Sequence, residues 1–185
     1  MFLKKLRIVA AVALAVLPIA QTMPANADSV TSKVINKNLT VSEGISIDTS
    51  LFIPKTTPAP AIMIAHGFGG SKDSVKSQAE FFQKAGYVVL TWSSRGFGKS
   101  TGQIMMNSIT GEVSDSKALI NYLVESKYVL RKGDGNPLLA IMGSSYGGAN
   151  ALLTATQDSR ISAVIADITW NNLENALFPQ SVIGS

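Results

Sequence analysis

The chain has 185 residues, a formal net charge of +4, a single histidine and no cysteine. The lack of cysteine excludes disulfides, thiolate metal sites and a lipidated cysteine, and no residue spacing implies a metal or an organic cofactor. The charge falls to +1 for residues 28–185, because the first 27 residues carry three bases and no acid, so it gives no reason to expect a nucleic-acid or membrane partner.

The N-terminal segment is predicted to be a signal peptide. Three basic residues are followed by an apolar stretch at 8–17, shorter than the ~20 residues that a membrane-spanning helix needs. A small-x-small pattern at 25–27 places cleavage before Asp28, the alternative being an uncleaved membrane anchor. We therefore expect residues 1–27 to direct export and residues 28–185 to form one domain with its own core. A disulfide-free exported protein is expected to be secreted or held in a bacterial cell envelope, without a stable membrane span.

The first half of that domain is predicted to begin with an antiparallel pair of strands. Apolar and polar residues alternate within 34–54, which is typical of a pair at the edge of a sheet. A proline-rich connection follows at 55–60. The continuous apolar run at 61–65 predicts a strand buried on both faces. A helix is expected next, with Ser74 as its N-cap and Gly86 just beyond its C-terminus.

From residue 61 onward, predicted strands alternate with predicted helices. The further elements are strands at 87–92, 138–142 and 161–166 and helices at 112–126 and 148–156. Alternation with short connections predicts a mostly parallel sheet covered by helices on both faces. In such a sheet the loops after the strands gather at one edge, where ligands bind.

The segment Gly143-Ser144-Ser145-Tyr146-Gly147 is a G-x-S-x-G pentapeptide between a predicted strand and a predicted helix. In this context the central serine, Ser145, is expected to sit on a sharp turn as a nucleophile. Gly143 and Gly147 leave room for the strand and helix to approach each other. The helix N-terminus favours negative charge that develops there. Ser144 is the second candidate, but the glycines are spaced around Ser145.

A second motif, His66-Gly67-Phe68-Gly69-Gly70, follows the buried strand at 61–65. Backbone amides of such a loop stabilise an oxyanion, so the N–H groups of Phe68 and Tyr146 are the expected donors. His66 and Gly67 are expected to order the loop. The alternative is that His66 is the general base, but in this kind of scaffold the base follows the nucleophile in the chain.

Two further groups are predicted at the same edge of the sheet. The segment from Arg95 to Gly102 is either a ligand loop or, as we favour, a structural turn held by hydrogen bonds of Arg95. Asp167 ends the last predicted strand. Its carboxylate is suited to orienting a base, yet the forty residues after Ser145 contain no histidine. We therefore favour a role for Asp167 in capping the turn toward residues 170–172.

Together, H-G-F-G-G, S-R-G-F-G-K-S-T-G and G-S-S-Y-G-G resemble the α/β-hydrolase superfamily, over about residues 45–179. More narrowly, they resemble exported bacterial serine hydrolases of the X-Pro dipeptidyl-peptidase and cocaine-esterase type. The resemblance implies an α/β-hydrolase sheet truncated after about its sixth strand. It also implies cleavage of amides or esters through an acyl-enzyme, with X-Pro peptides as the leading substrate class. Ser93 stands where such relatives commonly carry an aspartate, and their later catalytic acid and histidine, cap and C-terminal β-rich domain have no counterpart here.

Three functional hypotheses follow. The first is a peptidase or esterase in which residues 28–185 form a partial catalytic domain that lacks the triad aspartate and histidine. The second is a small hydrolase that uses His66, and the third is a secreted, non-catalytic binding module that retains the cleft. We favour the first, because no acid–base pair follows Ser145. An unpaired apolar strand at 161–166 also predicts marginal stability.

Overall fold

The computed structural model describes residues 28, 29, 31–170 and 172. The predicted signal peptide at 1–27 and the segment 173–185 lie outside the described residues. The strands are β1 (Asp28–Ser29), β2 (Lys33–Ser42), β3 (Ile45–Ile53), β4 (Thr56–Thr57), β5 (Ala61–Ala65), β6 (Val88–Trp92), β7 (Leu139–Ser144) and β8 (Ile161–Asp167). The helices are α1 (Lys76–Lys84), α2 (Glu112–Glu125) and α3 (Tyr146–Gln157).

The main sheet has six strands in the order β2-β3-β6-β5-β7-β8, while β1 and β4 form a separate two-stranded ribbon. Strands β6, β5, β7 and β8 are parallel, and β2 and β3 form the antiparallel pair at one end. The predicted mostly parallel sheet is thus confirmed. Because the parallel strands end at one edge, the loops after β5, β6, β7 and β8 meet there.

The side chains of the central strands alternate between two apolar layers. Met63 and Ala65 of β5 pack with residues of α2 and α3, whereas Ile62 and Ile64 pack with Val75 and residues of α1. This alternation follows from the two-residue period of a strand, and it places helices on both faces of the sheet as predicted.

The start of α1 differs from the prediction that Ser74 is its N-cap. Ser71 instead caps a short 3-10 turn at Lys72–Val75, and the α-helix begins only at Lys76. The hydroxyl of Ser74 accepts a hydrogen bond from the Ser71 N–H at 3.0 Å. Ser74 is thus a residue within the turn that stabilises it, rather than its N-cap. At the other end, Gly86 adopts a φ of +94°, which suits its predicted place after the helix.

Strand β8 forms the outer edge of the parallel part of the sheet. Within residues 28–170, no strand pairs with its outer side. Its residues are half-buried or exposed, and the side chain of Ile165 is 55% exposed. None of the helices in the part of the chain that the structure describes is long and apolar enough to cross a membrane.

Candidate active site

Ser145 lies on a sharp turn between β7 and α3, with φ +54° and ψ −120°. A non-glycine residue in this region is strained and persists only where its surroundings hold it. Two glycines permit the turn. A Cβ on Gly143 would lie 2.4 Å from the carbonyl of Gly147, and a Cβ on Gly147 would lie 2.4 Å from the carbonyl oxygen of Ala65. The glycine spacing of the motif therefore has a direct steric cause.

The two serines of the motif have different surroundings. The hydroxyl of Ser144 lies 3.5 Å from a carboxylate oxygen of Asp167, and it points along the sheet edge toward β8. The N–H of Ser145 donates to the carbonyl oxygen of Asp167 at 2.9 Å, which ties the turn to β8. Within the described residues the Ser145 hydroxyl makes no hydrogen bond, and Ser145 as a whole is half-buried. Ser145 is therefore the serine of the motif whose hydroxyl is not engaged by another described residue.

The two amides predicted to bind an oxyanion belong to the first residue of α3 and to the loop after β5. Tyr146 is the first residue of α3, a position whose N–H has no partner inside a helix. Phe68 follows β5 in the neighbouring loop, and its ring lies 5.7 Å from the Tyr146 ring, measured between centroids. Neither N–H donates a hydrogen bond within the described residues. The loop after β5 and the turn after β7 thus lie side by side, with the rings of Phe68 and Tyr146 in contact, and the roles of the two amides stay a prediction.

His66 is fully buried, and both of its ring nitrogens are occupied. Nε2 accepts a hydrogen bond from the Ser94 N–H at 3.0 Å. The proton must then be on Nδ1, which donates to the carbonyl oxygen of Gly67 at 2.7 Å. Burial lowers the pKa of His66, although the bond to Gly67 opposes this shift. A neutral ring with no free lone pair orders the loop at residues 66–70 and cannot accept a proton from Ser145 in this arrangement.

Arg95 is buried and fixes the loop after β6 to α2. Its Nε and Nη2 donate to the two carboxylate oxygens of Asp115 at 2.7 and 2.6 Å, and Nη1 lies 3.3 Å from the sulfur of Met105. The bidentate bond to Asp115 is the main reason that the pKa of Arg95 is raised. With its guanidinium committed to Asp115, Arg95 acts here as a structural anchor rather than as a ligand contact.

Sequence reasoning did not single out three buried polar residues behind the turn. Glu112 and Asp115 begin α2, and Asn107 lies in the loop before it. The pKa of the Tyr146 hydroxyl is raised, first by burial and then by the nearby charge of Glu112. A signal was available, since Glu112 and Asp115 are one turn apart on the otherwise apolar face that carries Leu119.

Aromatic rings surround the turn on the Phe68 side. Phe97 lies edge-on to Phe68 and to His66, with 5.3 Å between centroids in each case. The Phe68 side chain is 60% exposed despite these contacts. On the other side, a cavity of about 130 Å³ is lined by Gly67, Ser144 and Asp167 among other residues. The described residues contain no group of three or more acids and histidines placed to hold a metal ion.

Comparison with known proteins identifies the family. Residues 43–184 match the model of the X-Pro dipeptidyl-peptidase family, S15. The chain belongs to the S15 family. Since the match includes Phe68, Ser145 and Tyr146, it covers the whole of the site described above.

The similar proteins are considerably longer than this chain. It is 37% identical over 134 residues to the quorum-quenching protein AidA of Acinetobacter baumannii, which covers 71% of this chain and 42% of AidA. Among solved structures, the α/β hydrolase GrgF of Penicillium superposes with a TM-score of 0.65 at 22% identity, covering 82% of this chain and 53% of GrgF. The esterase Pf2001 of Pyrococcus furiosus gives a TM-score of 0.66 at 20% identity, covering 78% and 54%.

These structural matches confirm the α/β-hydrolase fold that the motifs predict. The chain spans less than half the length of AidA and just over half of each of the two structures. The chain therefore belongs to a hydrolase family and has the α/β-hydrolase fold, and the proteins it matches are longer.

Proposed function

We propose that Ser145 is the nucleophile of a serine hydrolase that works through an acyl-enzyme. The observation that carries this proposal is the strained turn, which presents an unbonded hydroxyl beside the amides of Phe68 and Tyr146. Oγ of Ser145 attacks the substrate carbonyl carbon, its proton passes to a base, and the two N–H groups bind the oxyanion. The leaving alcohol, thiol or amine departs with a proton, and water then releases the acid.

The base is proposed to come from polypeptide that this sequence does not contain. The only histidine of the chain is His66, and both of its nitrogens are occupied. The similar proteins are about twice as long as the matched region, which leaves room in them for further strands and loops. An aspartate and a histidine supplied by such a region would complete a triad with Ser145. Alone, the chain is expected to react slowly.

The substrate is proposed to be a small ester or peptide. The family description names X-Pro dipeptidyl-peptidases, and one similar structure is an esterase, so both classes have support. Ester and peptide substrates share an acyl carbonyl group, which suits attack by the Ser145 hydroxyl and hydrogen bonds from the Phe68 and Tyr146 N–H groups. The exposed ring of Phe68 and its neighbour Phe97 supply an apolar wall for a proline ring or an apolar acyl group.

We also propose that residues 1–27 direct export and are then removed. The protein recovered from the envelope or the medium of a bacterial host is therefore expected to begin at Asp28. N-terminal sequencing tests this. A protein retained in membranes that still begins at Met1 would show an uncleaved anchor instead.

The proposed nucleophile is tested by covalent trapping. The purified protein is incubated with a fluorophosphonate, digested, and the modified residue is located by mass spectrometry. We expect slow modification of Ser145 that added imidazole accelerates by replacing the missing base, its loss in Ser145→Ala, and its retention in the matched control Ser144→Ala. Modification that maps to Ser144 or to another residue, or that persists in Ser145→Ala, would contradict the proposal.

A further inference from the structure

Two successive residues in the loop before α2 have left-handed backbone conformations although neither is glycine. Met106 has φ +51° and Asn107 has φ +61°. Asparagine adopts this region more readily than most residues, but two in a row are uncommon. Met105, just before them, is fixed by a 2.6 Å bond from its N–H to the Glu112 carboxylate. Strain of this kind persists when other contacts depend on it.

The strained conformation places the Asn107 side chain against the serine turn. Its Nδ2 donates a hydrogen bond to the backbone carbonyl oxygen of Tyr146 at 2.9 Å, and the side chain is buried. Tyr146 is also the residue whose N–H is proposed to bind the oxyanion. Ser145 and Tyr146 are therefore held from two sides: the Ser145 N–H by the Asp167 carbonyl, and the Tyr146 carbonyl by Asn107.

A buried network fixes the orientation of the Asn107 amide. Its Oδ1 accepts from Nδ2 of Asn150 on α3 at 3.1 Å. Oδ1 of Asn150 in turn accepts from the Ser116 hydroxyl on α2 at 2.8 Å. These bonds leave Nδ2 of Asn107 as the group that faces Tyr146, so the amide cannot flip without losing both contacts.

We propose that Asn107 is a positioning residue for the oxyanion hole, acting through the Tyr146 carbonyl to aim the Tyr146 N–H at the tetrahedral intermediate. The inference rests on the proposed function of Ser145 and Tyr146. The strained loop at residues 106–107 would thus contribute to the oxyanion hole, although it makes no hydrogen bond with the Ser145 hydroxyl. Without the hydrogen bond from Asn107, the Tyr146 N–H is still present but misaligned. The first turn of α3 is then held only by the bond between the Ser145 N–H and the Asp167 carbonyl.

The test uses phenylboronic acid with imidazole present as the base: the Ser145 oxygen bonds to boron, its proton passes to imidazole, and one oxygen of the resulting tetrahedral anion occupies the oxyanion hole. Boron-11 NMR of the whole protein reports the tetrahedral adduct and its affinity, and Ser145→Ala shows that the adduct forms at that serine. We expect Asn107→Asp to bind the boronate about tenfold more weakly. Asn107→Gly is a second variant that folds readily, since glycine adopts positive φ at no steric cost.

Ser116→Ala is the matched control, since the Ser116 hydroxyl lies within hydrogen-bond distance of Asn150 Oδ1 and of the Glu112 carbonyl oxygen but has no hydrogen bond to Tyr146. Thermal unfolding of each variant records how far the network is weakened. The inference predicts that Ser116→Ala loses stability but keeps its boronate affinity within about twofold. Unchanged affinity in both Asn107 variants, or an equal fall in Ser116→Ala, would overturn it and leave the proposed function intact. No adduct at Ser145 in the unaltered protein would overturn both.

Discussion

The two sides of the central strand β5 differ in how completely they are enclosed. On the β6 side, two further strands, β3 and β2, lie beyond β6, and β6 itself is fully buried. On the β7 side there is one further strand, β8, whose residues are half-buried or exposed. Ser145 is on the less enclosed side, directly after β7. Both outermost strands, β2 and β8, are half-buried or exposed, so the difference lies in the strands next to β5: β6 is buried throughout, whereas β7 is buried only at alternate residues.

This difference shows which contacts the serine turn depends on. Its steric fit comes from β5, through the approach of Gly147 to the Ala65 carbonyl. Its hydrogen bonds come from β8, through the Asp167 carbonyl, and from the loop of Asn107. Substitutions on the two sides of β5 separate these contributions, each measured by urea unfolding of the whole protein unless another method is stated.

The largest effect is expected for Gly147→Ala. A Cβ there meets backbone atoms of Ala65 and His66 at 2.4–2.8 Å, and backbone cannot move aside as a flexible side chain would. We expect a loss of about 5 kcal/mol in the free energy of unfolding, or failure to fold. Gly133→Ala, where a Cβ would meet nothing within 4 Å, is the control and is expected to be neutral. Equal effects at the two glycines would refute the steric account.

The second largest effect is expected for the ion pair of Arg95 and Asp115, which fixes the loop after β6 to α2. Asp115→Asn removes the charged partner of Arg95 in a pair whose side chains are 4% and 9% exposed. Because it leaves a buried guanidinium without its counter-charge, we expect a loss of about 4 kcal/mol. Glu80→Gln breaks the exposed pair with Lys76 and is expected to leave the urea midpoint almost unchanged. A small loss in Asp115→Asn would show that Arg95 is not the anchor described here.

One isoleucine substitution in β7 and one in β8 test how far each of these neighbouring strands is enclosed. Ile141 of β7 is fully buried, whereas Ile165 of β8 is 55% exposed. We expect Ile141→Ala to cost about 3 kcal/mol and Ile165→Ala less than about 1 kcal/mol, because only the first leaves a cavity in the core. If Ile165→Ala costs as much as Ile141→Ala, strand β8 is enclosed in solution by something outside the described residues.

The smallest effect is the pH dependence of His66. The folded protein holds this ring neutral, with a pKa below 6.5, whereas the unfolded chain protonates it near 6.5. The unfolded state therefore binds more protons as the pH falls through 6.5, and the free energy of unfolding decreases over that range. His66→Gln is expected to remove that part of the pH dependence. A normal titration of the single histidine by NMR would contradict the buried, doubly bonded ring.

The elements that the sequence predicts well are those whose cause is local. The apolar runs at 61–65 and 161–166 specify buried or sheet-forming strands, and the glycines around Ser145 specify a close strand–helix approach. The wrong N-cap at Ser74 arose because Ser71 satisfies the same pattern three residues earlier. Nothing in the sequence pattern marks residues 106 and 107 as a left-handed turn, since no glycine stands there. Their conformation is set by contacts with α2 and α3 that only the folded chain brings together.

The central claim is that Ser145 is an intact nucleophile whose base lies outside this chain. It is tested most directly by measuring the rate of Ser145 acylation by p-nitrophenyl acetate with and without added imidazole, which acts as a free base. The account predicts slow acylation, a rate that rises with imidazole concentration, and the same behaviour in His66→Gln at a temperature where that variant is folded. Fast acylation without imidazole that disappears in His66→Gln would contradict it and make His66 the base.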